Sequence, residues 1–288
     1  VLSCKGIAEG VENSNFLLET TGGRFILTLY EKRVREGDLP FFVDLLDHLA
    51  ASGSPVPAMI RDRSGIAVQE ISGRAACIIQ FLPGISLTHP TPAQCEAAGV
   101  ALGAMHRALA GYDGARANSM GHRHWREVAN ATGDLDAVRP GLQATVDEEL
   151  GFLDAHWPTD LPAHVIHADL FPDNVLMLGD RVTGLIDFYF AASDFRAYDL
   201  VITHAAWTFS ADGSTCDPAL AQALMRGYAR EIPLTDGETA ALPTLARGAA
   251  LRFLLTRAHD WVHTPADALV TRKDPSPFLA RLLRYRAD

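Results

Sequence analysis

The sequence predicts an α+β fold of two lobes, a small β-rich one followed by a larger, mainly helical one. Three observations carry that prediction. Turn-separated apolar runs fill residues 1 to about 80, helix signatures dominate after residue 84, and one β-like island, residues 164–190, interrupts the helices.

The elements follow in order. NFLLET and RFILTLYE read as strands around Thr21-Gly22-Gly23, a turn composition suited to a hairpin. A helix comes next: Asp38 is placed to cap it, Pro40 tolerates its first turn, and Phe41, Phe42, Leu45, Leu46 and Leu49 form one stripe that Gly53 ends. GIAVQEI and AACIIQF read as further strands divided by Ser72-Gly73-Arg74. After Phe81-Leu82-Pro83-Gly84, a capping box at Thr91 and Gln94 opens a helix that runs to Gly111. Asp217-Pro218 opens another, and residues 238–264 hold the longest helical stretch. Within the island, Gly179-Asp180 is a two-residue hairpin turn. The expected division is residues 1–80, a connecting segment 81–86, and residues 87–288.

Bulk properties narrow the function. Of 288 residues, 48% are apolar and 21% charged, which suits well-filled cores. A net charge of −10 repels nucleic acid and anionic lipid, so neither is an expected partner. Cys4, Cys77, Cys95 and Cys216 lie far apart, which fits neither a zinc knuckle nor a disulfide framework and suggests a reducing, cytoplasmic setting. No apolar run reaches the roughly 18 residues of a membrane span, and no secretory signal is evident. The chain opens VLSCKG without Met, so its first residue is not taken as the start of the protein.

The chemistry concentrates in His167-Ala168-Asp169-Leu170-Phe171-Pro172-Asp173-Asn174, followed by Ile186-Asp187-Phe188. Phosphoryl transfer needs a carboxylate to accept or orient the attacking hydroxyl, and hard oxygens to hold Mg²⁺ on nucleotide phosphates. Asp169 sits in a loop between apolar runs, and a tight hairpin would join the ends carrying Asn174 and Asp187. One amide oxygen and one carboxylate could then share a metal. Protein kinases carry H-R-D-L-x-x-x-N and D-F-G, and here Asn174 also follows Asp169 by five residues. Neither a glycine-rich G-x-G-x-x-G loop nor a P-loop occurs. The candidate phosphate cradle is Gly6 to Asn15, with Asn13, Ser14 and Asn15 leading into the first strand. Thr28 stands where a kinase strand lysine would be expected, and the three lysines are Lys5, Lys32 and Lys273. Lys32, on the same strand face as Thr28, is a candidate replacement, as are Arg33 and Arg74.

Ala in place of the Arg of that signature, and Tyr in place of the Gly, match the aminoglycoside phosphotransferase superfamily. Adding ENSNFLLET, FILTLYEKRV, DLPFFVDLLDHLAASGSPVP, FLPG, AYDL and RGAALRFLLTR, the chain resembles homoserine kinases of the aminoglycoside-phosphotransferase-like type from about Gly6 to Trp261. The resemblance implies a protein-kinase-like two-lobed fold. It also implies transfer of the ATP γ-phosphate to L-homoserine, with Mg²⁺, in threonine biosynthesis. By motif match, Asp169 would be the base, Asn174 and Asp187 the metal ligands, and Phe81 and Leu82 the hinge near adenine. An amino-acid acceptor needs a cation for its carboxylate and oxygens for its ammonium, for which Tyr189, Asp194, Arg196, His204 and Arg252 are candidates. Tyr198-Asp199 resembles a segment that buttresses the catalytic loop, and His167 is expected to orient that loop. His106 is read as a packed residue. Competing readings keep the fold with another acceptor, such as an aminoglycoside, choline or methylthioribose, or make the chain a nucleotide-binding pseudokinase.

Overall fold

The computed structural model describes residues 1–7, 13–30, 35–264 and 272–287. Lys32, Arg33 and the middle of the Gly6–Asn15 segment lie outside the described residues.

The N-terminal lobe is an antiparallel sheet with one helix. Its strands are β1 (Ser3–Ile7), β2 (Asn13–Thr20) and β3 (Gly23–Tyr30), then, after helix α1 (Leu39–Ala51), β4 (Met59–Ile60), β5 (Val68–Ile71) and β6 (Arg74–Gln80). The order is β1-β2-β3-β6-β4, with β5 also pairing β6. Thr20 pairs with Gly23, so Thr21 and Gly22 alone make the first turn. Ser72 and Gly73 turn β5 into β6 at φ of 53° and 76°, the left-handed region that suits a two-residue hairpin. Two local expectations are corrected. Asn13 and Ser14 are paired residues of β2 opposite Tyr30 and Leu29, so the strand begins two residues before NFLLET. Asp38 precedes α1 in helical backbone geometry and makes no side-chain cap; its carboxylate accepts from Arg116 Nε at 2.9 Å. On α1, Leu39, Phe42, Leu45 and Leu49 are the buried residues, one face of a 3.6-residue period.

The C-terminal lobe contains α2 (Pro92–Leu109), α3 (His122–Thr132), α4 (Leu142–His156), β7 (Ala163–Ile166), the hairpin β8 (Val175–Leu178) and β9 (Arg181–Leu185), β10 (Ala192–Phe195), α5 (Arg196–Trp207), α6 (Pro218–Glu231), α7 (Asp236–His263) and α8 (Ser276–Ala287). Capping boxes open α2 at Thr91/Gln94 and α7 at Thr235/Glu238. One apolar core runs from Leu45 and Leu49 of α1 through Leu102 and Met105 of α2 to Met177 and Leu185 of the hairpin. A second joins α3, α4, α5, α7 and α8. The connecting segment after β6 is tied to the hairpin: Ile85 and Met177 exchange backbone hydrogen bonds of 3.0 and 2.9 Å. No described helix is long and apolar enough to cross a membrane.

Helices α2 and α6 meet backbone to backbone, which only glycine permits. A Cβ on Gly99 would lie 2.2 Å from the Leu224 carbonyl oxygen, and one on Gly227 2.0 Å from that of Glu96. In an open helix, Gly→Ala gains up to about 1 kcal/mol of propensity; at this crossing, overpacking should cost about 1–3 kcal/mol and outweigh it. Urea unfolding of Gly99→Ala should therefore shift to lower denaturant. Gly151→Ala in α4, where a Cβ meets nothing within 4 Å, should shift the opposite way. Stabilisation of both would contradict the tight crossing.

Candidate active site

The site begins where β7 ends. His167 and Ala168 are fully buried, and their two backbone N–H groups donate to opposite oxygens of Asp199, each at 2.8 Å. Asp199 is itself fully buried near the start of α5 and receives a third bond, from His106 Nε2 at 3.0 Å. The other His106 nitrogen meets the Tyr228 hydroxyl at 2.9 Å. Burial works against the Asp199 charge, but the His106 hydrogen bond and nearby imidazoles outweigh it and hold its pKa below the ordinary carboxylate value. Asp199 thus buttresses the turn, as expected, and His106 is the packed partner that makes that possible.

Ala168 adopts φ +64°, a left-handed geometry that costs a non-glycine residue about 1–2 kcal/mol. Its N–H is held by Asp199 and its carbonyl by the Arg252 guanidinium, so both sides of the strained residue are fixed. The His167 ring spans the next gap. Its Nδ1 accepts from Asp169 N–H at 3.2 Å and its Nε2 donates to Ile186 O at 2.9 Å, which defines a neutral ring with its proton on Nε2. Burial lowers its pKa in the same sense. One imidazole therefore links the Asp169 turn to the residue before Asp187.

The β8–β9 hairpin closes the constellation. Ile186 N–H donates to Asn174 O at 3.0 Å, one step beyond the Val175–Leu185 pair, so Asn174 and Asp187 leave the hairpin side by side. Asn174 spends its amide N–H₂ on Asp169, at 2.8 Å to the carbonyl and 3.3 Å to the carboxylate, which turns its side-chain oxygen outward. Asp187, like Ala168, is left-handed, with φ +65°. Asp169 is half-buried at the floor of this cluster. Burial pushes its pKa up to about 8; Arg252 opposes that shift, while the charges of Asp187 and Asp173 add to it. Oxygen donors from Asn174 and Asp187, beside the Asp169 carboxylate whose pKa the Asp187 charge raises, form a donor set that a hard divalent cation fits.

The N-lobe wall differs from a lysine-bearing strand. Thr28 is buried and donates to Asn15 Oδ1 at 2.7 Å, so this pair is engaged within the sheet. Tyr30 meets Cys77 Sγ at 3.0 Å, and the Tyr189 ring packs edge-on against Tyr30 and Phe42 at 5.6 and 5.8 Å. Tyr189 thereby joins the two lobes. Leu82 rests on Gly184 of β9, and Phe81 lies within 6.0 Å of the Arg24 guanidinium.

The remaining expected acceptor residues separate. Asp194 accepts from Asn118 at 2.6 Å, and burial raises its pKa. Arg196 does not pair with Asp194: both its Nε and an Nη donate to the buried Glu238, each at 2.6 Å, because the α7 capping box brings that carboxylate to the start of α5. His204 meets the Tyr285 hydroxyl at 2.9 Å, and burial lowers its pKa to about 4. Arg252 lies directly behind the Asp169 turn. Two arginines not singled out from sequence, Arg257 and Arg281, flank Phe278 beside that turn. The spacing Arg252-x-x-x-x-Arg257 on a helix was the available signal.

Comparison with known proteins agrees with this geometry. Residues 3–241 match the model of the phosphotransferase enzyme family, APH. The chain is 52% identical to a homoserine kinase of Methylobacterium radiotolerans, covering 99% of this chain and 89% of the relative. It is 50% identical to one of Gluconobacter oxydans, covering 100% and 92%. Among solved structures, an amicoumacin kinase in complex with AMP-PNP, Ca²⁺ and Ami superposes with a TM-score of 0.74 at 17% identity, over 99% of this chain and 86% of that one. A microcompartment-associated aminopropanol kinase gives 0.71 at 19% identity, over 99% and 91%. The structural likenesses speak for the kinase-like fold, small antiparallel lobe and helical lobe together. The family match and the half-identical relatives identify the chain as a member of the APH phosphotransferase enzyme family, alongside its homoserine kinases.

Proposed function

We propose that the protein transfers the γ-phosphoryl group of ATP to the side-chain hydroxyl of L-homoserine, giving O-phospho-L-homoserine and ADP. The observation that carries this reading is the joining of Asp169, Asn174 and Asp187 by one hairpin and one imidazole, in a chain half identical to homoserine kinases throughout. Asp169 accepts the hydroxyl proton as the oxygen–phosphorus bond forms and the bond to the ADP oxygen breaks. A base so placed contributes about 10²–10⁴-fold. Asn174 Oδ1 and the Asp187 carboxylate would hold Mg²⁺, which when bound would supply charge neutralisation at the phosphates. Residues 1–80 form the nucleotide lobe, 81–86 the hinge against adenine, and 87–288 the catalytic and acceptor lobe. Asn13, Ser14 and Asn15 lie at the phosphate end of the sheet, and Lys32 is the candidate for the phosphate-gripping cation. Formation of a phosphorylated precursor of threonine fits a cytoplasmic enzyme, and the four cysteines are free thiols.

The direct test is ADP release from Mg-ATP with L-homoserine, run beside choline, kanamycin and methylthioribose. Turnover with homoserine alone, abolished by EDTA, is expected. Turnover with another acceptor would keep the phosphotransfer and overturn the substrate, and nucleotide binding without any turnover would make the chain a pseudokinase. Asp169→Asn should lower kcat by about 10²-fold or more while retaining ATP affinity; wild-type kcat would remove Asp169 from the mechanism. The same variant makes a pH prediction. Asp169 holds its proton more tightly folded than unfolded, so it favours the folded state below about pH 4. That contribution is lost as pH rises through about 8. In EDTA, Asp169→Asn should therefore gain urea resistance over wild type progressively between these limits. A difference constant across that window would contradict the raised pKa.

A further inference from the structure

We propose that Arg257 and Arg281 together form the receptor for the α-carboxylate of the amino-acid acceptor, a proposal that rests on the reading above. Phe253 and Arg257 share one face of α7, and Phe278 and Arg281 one face of α8, at four- and three-residue spacing. Between them stands Phe278, fully buried, its ring 5.0 Å from Phe253 and 6.2 Å from Phe171. Phe171 lies within the catalytic turn, two residues after Asp169. Each guanidinium carbon sits 4.5 Å from the Phe278 ring centre, so one aromatic ring, packed against the Phe171 ring of the Asp169 turn, positions two cations.

Arg281 is buried and Arg257 half-buried, and among the described residues neither has the carboxylate partner that such arginines normally have. Arg281 is only 7% exposed, and its Nε has no hydrogen-bond partner among the described residues. Neither arginine forms a salt bridge with a described carboxylate; Arg257 donates to the Asp274 carbonyl at 3.2 Å. Burial, then the like charge of Arg281, push the Arg257 pKa down to about 10, while Asp169, Asp173 and Asp274 act in the opposite sense. A buried and a half-buried guanidinium side by side, with no described carboxylate in salt-bridge contact, are costly unless a ligand supplies the anion. Their planar donor forks suit a carboxylate. The nucleotide phosphates are served by the cation at Asn174 and Asp187. The acceptor's carboxylate is the anion left without a partner, and cationic or neutral alcohols lack it.

The test compares L-homoserine with 3-aminopropan-1-ol, which is homoserine without its carboxylate. Wild-type enzyme should prefer homoserine in kcat/KM by about 10²-fold or more, as expected when a charged hydrogen-bonding site is left unfilled. Arg257→Met and Arg281→Met should each raise the homoserine KM and collapse that preference toward unity. The KM for Mg-ATP should stay within about twofold, and stabilisation of the fold by homoserine in thermal unfolding should disappear. Equal losses on both acceptors, or a wild type that does not discriminate between them, would overturn the proposal while leaving the phosphotransfer intact. Absence of homoserine turnover in the wild type would instead overturn the function on which it rests.

Discussion

The Asp199 carboxylate is the point on which the active site depends. It is a buried charge, and it is tolerable there because three donors converge on its two oxygens: the N–H groups of His167 and Ala168, and the His106 ring. Those bonds do more than satisfy Asp199. They hold Ala168 in a left-handed conformation that an alanine would otherwise leave, and the Arg252 guanidinium closes the same residue from its carbonyl side. Reversing the chain at Ala168 places Asp169 over the hairpin instead of along the strand direction of β7. Local strain is thus stored beside the chemistry and maintained by surrounding packing.

From that turn the geometry propagates through very few atoms. The neutral His167 ring spans from Asp169 to Ile186, and the Asn174 amide ties the same turn to the start of the hairpin. The Asp169, Asn174 and Asp187 side chains therefore cannot shift independently. The arrangement gathers Asp169, Asp173 and Asp187 on one side and Arg252, Arg257 and Arg281 behind it. Like charges crowd within each group, whereas the Arg252 charge across from them opposes the upward push on the Asp169 pKa.

Much of this was legible in the sequence because it rests on short-range rules. The Asp169–Asn174 spacing, the Gly179-Asp180 turn and the capping box at Thr91 each specify local geometry through a few neighbouring residues. The assignment of Asp199 as a support was also legible, from its resemblance to a known segment. What could not be read depended on long-range partners. Arg196 was read as a candidate for the acceptor's charges, whereas its partner is Glu238, 42 residues away and delivered by the start of α7. Asp38 looked like a helix cap, but Arg116, 78 residues on, claims its carboxylate. Asn13 and Ser14 looked like a loop because polar residues lower strand propensity, yet β3 pairs them into the sheet. Arg257 and Arg281 gave no signal beyond the Arg252–Arg257 spacing, since their place near the Asp169 turn is created by three aromatic rings, Phe171, Phe253 and Phe278, packed across that turn, α7 and α8.

The most direct test of this account is the kcat of Asp199→Asn for homoserine phosphorylation, measured with its circular dichroism and ATP affinity. An amide presents an N–H₂ to one of the two backbone N–H groups that now donate to a carboxylate, so the Ala168 turn should relax and displace Asp169. A fall in kcat of about 10²-fold or more is expected, the scale of a misplaced catalytic group, with secondary structure and nucleotide binding retained. Wild-type kcat in a folded Asp199→Asn protein would show that the catalytic turn holds its geometry without this carboxylate.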